Sequence, residues 1–143
     1  MGRIVVVTDS SAGIPLELAQ KLDLEIVPIG IQINQQFYRE GVDLDKGQFY
    51  AQLDSAQSIS TSQPSPGDFL EVYRQVAKRA QEIISIHVTS KGSGTVSVAT
   101  LAASESELPV TVVDSETAGM AQGFIALAAA QAAQLGRIRE EIL

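Results

Sequence analysis

The chain of 143 residues has the length of one domain, and its hydrophobic content of 45% is ordinary for a globular protein. Its formal net charge of −7 is not offset by any basic patch, which argues against binding to nucleic acid or to an anionic membrane surface. The sequence contains no cysteine, which excludes disulfides, thiolate zinc sites and a thiol nucleophile, and agrees with a cytoplasmic protein.

Strands and helices are predicted to alternate along the chain. The first strand, Arg3–Thr8, contains a near-continuous apolar run, which is typical of a parallel strand covered on both faces. Further strands are predicted over Glu25–Ile33, through Phe37 and Tyr38, over Ile83–Val88 and over Val110–Val113. Helices are predicted over Pro15–Leu22, from Asp45 to Leu53, and over Gly67–Ala80, Gly94–Ser104 and Ala118–Leu135. This alternation predicts an α/β fold in which helices flank a mainly parallel central sheet.

Two segments need separate interpretation. Pro28 lacks an amide hydrogen, so we expect it at an edge or a bulge of the second strand. Thr117–Gly136 carries no charge over 20 residues, which is long enough to span a bilayer. This segment is mostly alanine, which gains little from lipid, and it contains three glutamines that would need partners there. We therefore expect a buried helix and no membrane span.

Two segments rich in hydroxyl groups predict a ligand site. Thr61–Gln63 lies just before a predicted helix for which Ser65 is a natural N-cap and Pro66 suits the first helical position. The second segment, Thr89–Thr95, contains two glycines that let the backbone approach a ligand closely, and its hydroxyl and amide groups suit an anion. Together the two segments predict a site for a carboxylate or a phosphate.

Other polar residues have simpler structural explanations. Asp9 and Asp114 both follow predicted strands and could hold a metal ion, but hydrogen bonding in tight turns is the favoured interpretation. His87 is the single histidine and lies inside a predicted strand, and Ser93 lies directly between two glycines rather than in a nucleophile elbow. A Ser-His-Asp hydrolase is therefore disfavoured. We expect no metal ion, no cofactor and no catalytic residue.

Six short motifs carry a resemblance to a known family. Their order and spacing are more specific than any one of them, and they are Val7–Ser11, Val27–Ile29, Tyr38–Asp43, Thr61–Pro66, Ser93–Thr95 and Val113–Ser115. With these motifs the chain resembles the amino-terminal half of the DegV family, bacterial carriers that bind fatty acids. It departs from the family pattern at Gly92, where the family usually has leucine, and at Gly13, where aspartate is common.

The resemblance implies that residues 1–143 form a single α/β domain like the first domain of DegV proteins, with the family's second domain absent. It implies that the hydroxyls of Thr61 and Ser93 hold the carboxylate of a long-chain fatty acid, supported by Ser62, Gly94 and Thr95. It also implies that the fatty acid is presented to a separate fatty acid kinase, which makes an acyl-phosphate for phospholipid synthesis. The alternative is an enzyme, a serine hydrolase or a phosphate-ester transferase that uses Ser93 or Asp9.

The acyl chain of such a ligand needs an apolar lining. Apolar side chains that could line a tunnel, although a place in the core is the favoured interpretation, are Met120, Phe124, Ile125, Leu127, Ile29 and Ile31. A further helical pattern, Arg137–Leu143, begins after Gly136 and stops where the sequence stops. We expect that this chain alone binds fatty acid more weakly than a two-domain relative and exposes an apolar surface that favours self-association.

Overall fold

The structure, a computed structural model of the chain, describes residues 2–143. Seven strands and six α-helices follow one another in this part of the chain. In chain order they are β1 (Ile4–Asp9), α1 (Leu16–Lys21), β2 (Glu25–Val27), β3 (Gly30–Ile33), β4 (Gln36–Arg39), α2 (Lys46–Leu53), β5 (Ile59–Ser62), α3 (Pro66–Ala77), β6 (Glu82–His87), α4 (Thr95–Ser104), β7 (Val110–Asp114), α5 (Met120–Gln134) and α6 (Arg139–Ile142).

A parallel sheet of four strands forms the centre, in the order β2-β1-β6-β7. All six residues of β1 are buried, as its apolar run predicts. Successive side chains of β1 enter two cores on opposite faces of the sheet, because side chains alternate along a strand. Val6 packs in a core shared with α1 and α5, and Val7 packs in a core shared with α3 and α4. The predicted α/β fold with a mainly parallel central sheet is confirmed.

A second sheet was not predicted. It is antiparallel, with the strand order β4-β3-β5, and it packs on a small core of Ile31, Ile33 and Leu44. The prediction of one strand over Glu25–Ile33 is wrong, because this segment forms β2 in the parallel sheet and β3 in the antiparallel sheet. Pro28 lies at the break. It has no amide to donate, and the next amide donates to a side chain rather than to a strand.

The third strand of this second sheet, β5, was also not predicted. Its sequence is Ile59-Ser60-Thr61-Ser62, and all four residues are exposed. Three hydroxyl residues in a row give no apolar alternation, so the pattern indicates a loop. Pairing with β3 nevertheless makes it a strand, with Thr61 opposite Ile31 and Ser62 opposite Gly30. Two predicted site residues therefore lie on a strand and not in a loop.

The helix starts agree with the sequence. Ser65 is the N-cap of α3, and its hydroxyl accepts the Asp68 amide at 3.2 Å. The Asp68 carboxylate accepts the Ser65 amide at 2.7 Å in return, and Pro66 occupies the first helical position. Asp45 and Gln48 form the same reciprocal cap at the start of α2. These caps satisfy amides that would otherwise lack an intrahelical partner.

The uncharged helix α5 packs on the sheet through small residues. Ala126, Ala129 and Ala130 are buried, and a methyl group built on Gly123 would lie 2.6 Å from the Ala12 carbonyl oxygen. Alanine and glycine thus let one face of the helix approach the turn after β1 closely. The expectation of a buried helix holds for that face only, because Phe124 and Ile125 on the other face are exposed. Within residues 2–143, none of the helices has both the length and the apolar character needed to cross a membrane.

The close approach of α5 can be tested with Gly123→Ala. We expect the free energy of unfolding to fall by about 1–3 kcal/mol, because the added methyl group meets backbone that cannot move aside. Gly67→Ala is the matched control, since a methyl group there would lie 3.6 Å from its nearest neighbour and the change should be within about 1 kcal/mol. Urea unfolding followed by circular dichroism measures both. Equal stabilities would show that α5 shifts freely away from the turn.

Candidate ligand-binding site

The polar segments after β1, β6 and β7 lie at one edge of the parallel sheet. Parallel strands end at the same edge, which is where ligands bind in open α/β sheets. The segments after β6 and β7 are also bonded to each other. The Thr89 amide donates to the Thr117 carbonyl at 2.9 Å, and the Ser90 amide and hydroxyl donate to the Asp114 carboxylate. The edge is thus built from linked turns.

Ser93 organises the start of α4. Its hydroxyl oxygen accepts the Thr95 amide at 3.2 Å and lies 2.8 Å from the Thr95 hydroxyl. Thr95 is buried, and Ser93 is partly exposed. Gly94 occupies the N-cap position and offers no side chain there. When the Thr95 hydroxyl donates to Ser93, the hydroxyl proton of Ser93 is free to donate to an anion outside the loop.

Thr61 and Ser62 present their side chains on opposite faces of β5, because they are adjacent residues of a strand. A methyl group built on Gly30 would overlap both the Ser62 hydroxyl and the Phe37 ring, so Ser62 fills the space that this glycine leaves. Thr61 is exposed, and among residues 2–143 its hydroxyl makes no hydrogen bond. Ser62 is exposed as well, and within residues 2–143 its hydroxyl also makes no hydrogen bond, but it lies against Gly30 and Phe37, on the face of β5 opposite Thr61.

The two hydroxyl-bearing segments are in contact through Gln63. A methyl group built on Gly94 would lie 2.8 Å from both the oxygen and the nitrogen of the Gln63 side-chain amide. The Gln63 amide therefore rests on the backbone of Gly94. This contact joins the segment that carries Thr61 to the loop that carries Ser93. The roles of Thr61, Ser93 and their supporting residues in binding stay predictions.

A buried polar chain lies behind this edge. Asp9 Oδ2 is 2.9 Å from His87 Nδ1, His87 Nε2 is 2.6 Å from the Ser85 hydroxyl, and that hydroxyl is 2.9 Å from the Tyr73 hydroxyl. All four side chains are buried. Each group can donate to the next, from Tyr73 to Asp9. Gln122, also buried, adds a donor at 3.0 Å from the same Asp9 oxygen.

Serine, histidine and aspartate stand here in the order of a hydrolase triad, but no exposed nucleophile belongs to it. Ser85 is buried inside β6, and the hydroxyl of Ser93 bonds to Thr95 rather than to His87. A triad nucleophile has to reach a substrate carbonyl. Sequence reasoning missed Ser85, Tyr73 and Gln122. A signal existed for Ser85, since it and His87 are two residues apart in a buried strand and so share a face.

The surroundings of this buried polar chain shift the pKa values of the groups at its two ends, Asp9 and Tyr73. Burial acts to raise the pKa of Asp9, but hydrogen bonds and charge from His87, with hydrogen bonds from Ser11 and Val88, outweigh burial and lower that pKa below its ordinary value of 3.8. Asp9 is therefore a carboxylate. Burial raises the pKa of Tyr73 to about 12, although its hydrogen bond with Ser85 acts in the opposite direction, so Tyr73 keeps its proton.

Asp114 makes hydrogen bonds within tight turns, as expected. Its carboxylate accepts the amide and hydroxyl of Ser90 and the amide of Glu116. These hydrogen bonds, that of the Ser90 hydroxyl foremost, lower the pKa of Asp114. Within residues 2–143, no three histidine, cysteine, aspartate or glutamate side chains come together as metal ligands. The expectation that the protein needs no metal stays a prediction.

The structure places the six apolar residues considered for a tunnel in different surroundings, and Ile29 is half-buried just before β3. Leu127 is buried in the core beneath α5, and Ile31 is buried in the small core of the antiparallel sheet, so both are core residues as favoured. Phe124 is 67% exposed, and Met120 and Ile125 are exposed as well. These three, all on α5, form an open apolar surface rather than an enclosed tunnel.

The fold and the edge define a class of protein. It is an α/β domain in which an antiparallel sheet brings hydroxyl groups to the carboxyl edge of a parallel sheet. Neutral hydrogen-bond donors at this edge suit an anionic group. The family model described as "Uncharacterised protein, DegV family" matches residues 3–143. The chain belongs to the DegV family.

Relatives and solved structures agree with this assignment. DegV domain-containing protein YejH of Lactococcus lactis is 40% identical over 141 residues, which are 98% of this chain and 50% of that protein. DegV of Bacillus subtilis, described as a fatty acid binding protein, superposes with a TM-score of 0.91 at 35% identity and covers 99% of this chain and 51% of its own. A DegV family protein of Thermus thermophilus, described in terms of fatty acid binding, has a TM-score of 0.89 at 35% identity, with 98% and 50% covered. The chain spans about half the length of the curated relatives it matches.

The contact between the two hydroxyl segments can be tested with Gly94→Ala. We expect the added methyl group to displace the Gln63 amide, with a change in stability of no more than about 0.5 kcal/mol because Gln63 is exposed. Gly92→Ala is the control, since its nearest neighbour would lie 3.9 Å away. Nuclear Overhauser contacts between the Gln63 amide and the loop report the displacement. Unchanged contacts in Gly94→Ala would contradict the close packing described.

Proposed function

We propose that this domain binds the carboxylate of a long-chain fatty acid with the hydroxyls of Thr61 and Ser93 and acts as a carrier. The observation that carries the proposal is the contact of Gln63 with Gly94, which joins the two segments that bear those hydroxyls. The proposal is supported by the descriptions of the Bacillus subtilis and Thermus thermophilus proteins as fatty acid binding, each at 35% identity.

The chemistry of the edge suits a carboxylate. An exposed threonine hydroxyl and a partly exposed serine hydroxyl can each donate to a carboxylate oxygen, and a hydrogen bond to a charged group contributes about 1.5–3 kcal/mol. Ser62, Gly94 and Thr95 support these donors from the adjoining backbone. The exposed apolar side chains Met120, Phe124 and Ile125 offer surface for the acyl chain, which gains about 0.8 kcal/mol for each buried CH₂.

A carrier fits this geometry better than an enzyme. Ser93 bonds to Thr95 and has no histidine partner, while the histidine is engaged by Asp9 and Ser85. Neither Ser93 nor Asp9 is therefore set up as the nucleophile of a hydrolase or a phosphate-ester transferase. A carrier needs only to hold the head group where another protein can reach it.

In this proposal the bound carboxylate is presented to a fatty acid kinase in the cytoplasm for phospholipid synthesis. An open edge of the sheet leaves a carboxylate oxygen accessible for phosphoryl transfer by the partner. The relatives are about twice as long as this chain, so the complete site of a two-domain protein would enclose the ligand from both sides. We expect this chain alone to bind more weakly than such a protein and to self-associate through its exposed apolar side chains.

The function is tested by organic extraction of the purified protein followed by mass spectrometry, together with calorimetric titration with palmitate. A carrier yields a bound long-chain fatty acid or a measurable heat of binding that is absent with hexadecane. Incubation with p-nitrophenyl palmitate tests the alternative. Turnover of that ester by the wild-type protein, lost in Ser93→Ala, would make the protein a hydrolase.

Ser93→Ala is expected to weaken palmitate binding about ten- to a hundredfold, because a hydrogen bond to a charged group is lost. The matched control is Ser106→Ala. The Ser106 hydroxyl accepts the Leu108 amide at 3.2 Å, the same local bond that Ser93 makes with Thr95. If both variants bind palmitate like the wild type at unchanged melting temperatures, Ser93 serves only the turn.

Thr61→Val is expected to act on the same ligand group as Ser93→Ala. Two residues that share one partner couple, by about 0.5–3 kcal/mol, so the losses of the single variants should not add in the double variant. The measurement is a double-mutant cycle from four calorimetric titrations. Additive losses would assign the two hydroxyls to separate sites.

A further inference from the structure

The Asp9 carboxylate is the most heavily shared polar group in the buried chain behind the candidate site. One of its oxygens accepts from the amide and hydroxyl of Ser11. The other accepts from His87 Nδ1 at 2.9 Å, Gln122 Nε2 at 3.0 Å and the Val88 amide at 3.3 Å. The side chain is wholly buried, so it does not meet a ligand itself.

A path of contacts leads from Asp9 to the segment that carries Thr61. The turn that Asp9 caps includes Ser10, and the Ser10 hydroxyl accepts the Ile29 amide at 2.9 Å. Ile29 directly precedes β3, whose Ile31 is paired with Thr61 on β5. The turn after β1 is thus bonded to the chain at the point where it leaves the parallel sheet for the antiparallel one.

A second path leads from Asp9 to the loop that carries Ser93. The Val88 amide, held by Asp9, is the first after β6. The chain continues through Thr89, whose hydroxyl accepts the Lys91 amide, to Ser93 and the start of α4. The two paths therefore begin at different oxygens of one carboxylate, which belongs to neither hydroxyl segment.

We propose that Asp9 is a positioning residue that fixes the two hydroxyl segments relative to each other, and that, given the proposed function, it sets the affinity for the carboxylate head group. An electrostatic role alone would have the opposite effect, because a buried negative charge near the site repels a carboxylate ligand. Removing that charge would then strengthen binding. If Asp9 positions the donors, removing it weakens binding despite the relief of repulsion.

The first test needs no ligand and uses Asp9→Asn, which keeps the shape of the side chain. The amide has only one acceptor oxygen, whereas the donors around Asp9 bond to both carboxylate oxygens. We expect amide hydrogen exchange to become about tenfold faster at both Ile29 and Thr95, one on each path, since bonds to a charged acceptor are lost. Tyr73→Phe is the matched control. It removes the far end of the same buried chain and should change neither amide. Faster exchange at Val88 alone, the directly bonded amide, would overturn the proposal.

If Asp9→Asn does not fold, Ser11→Ala takes its place. Ser11 contacts Asp9 and Gln122, and its hydroxyl has no bond to the segment after β6. Faster exchange at Val88 in this variant would be transmitted through the Asp9 carboxylate, either directly or through the Gln122 side-chain amide that bonds to it. Wild-type exchange at Val88 would show that the carboxylate does not couple the two segments.

The second test compares palmitate with its methyl ester, which has the same chain but no charge. In Asp9→Asn we expect affinity for palmitate to fall about tenfold and affinity for the ester to fall less, because the neutral ester carbonyl accepts weaker hydrogen bonds from the positioned hydroxyls than a carboxylate does. Tighter binding of palmitate, or equal losses for both ligands, would contradict the positioning role. If the wild-type protein does not prefer palmitate over the ester, the proposed function fails, and the exchange experiment still decides the role of Asp9.

Discussion

The buried charge of Asp9 is the constraint around which the polar part of this domain is arranged. An ionised carboxylate removed from water is unstable unless several donors replace the solvent. Here the donors come from β6, from α5 and from the turn that follows β1. Three elements that are distant in sequence are therefore held at one point, and that point lies directly behind the edge where the hydroxyl segments meet.

The main sheet could be predicted from the sequence because burial leaves a direct trace in composition. The apolar run of β1 and the caps at Asp45 and Ser65 each depend on local rules, and the structure contains them as expected. The antiparallel sheet left no such trace. β5 consists largely of hydroxyl residues, and only its pairing with β3, decided by the tertiary fold, makes it a strand.

The candidate site was predictable as a set of segments but not as an arrangement. The sequence pattern singled out the two hydroxyl segments, and the resemblance to the DegV family singled out Thr61 and Ser93 within them. Nothing in the sequence shows that Gln63 rests on Gly94. The hydrogen-bonded side chains that run from Asp9 to Tyr73 could not be predicted from the sequence for another reason. They are spread over three elements, and each is by itself an ordinary residue in a buried position.

The pairing of β1 with β6 also has a consequence for how the chain acquires its structure. Ile4 lies opposite Glu82, so the first 82 residues must be synthesised before β1 and β6 can begin to pair. Long-range pairing of this kind is slow because a large loop must close first. Until β6 emerges from the ribosome, β1 can pair only with β2, which covers Val7–Asp9, and the start of its apolar run has no strand partner. During this interval the nascent chain is most prone to aggregation. Chaperones that bind apolar segments would therefore act on this end of the protein first.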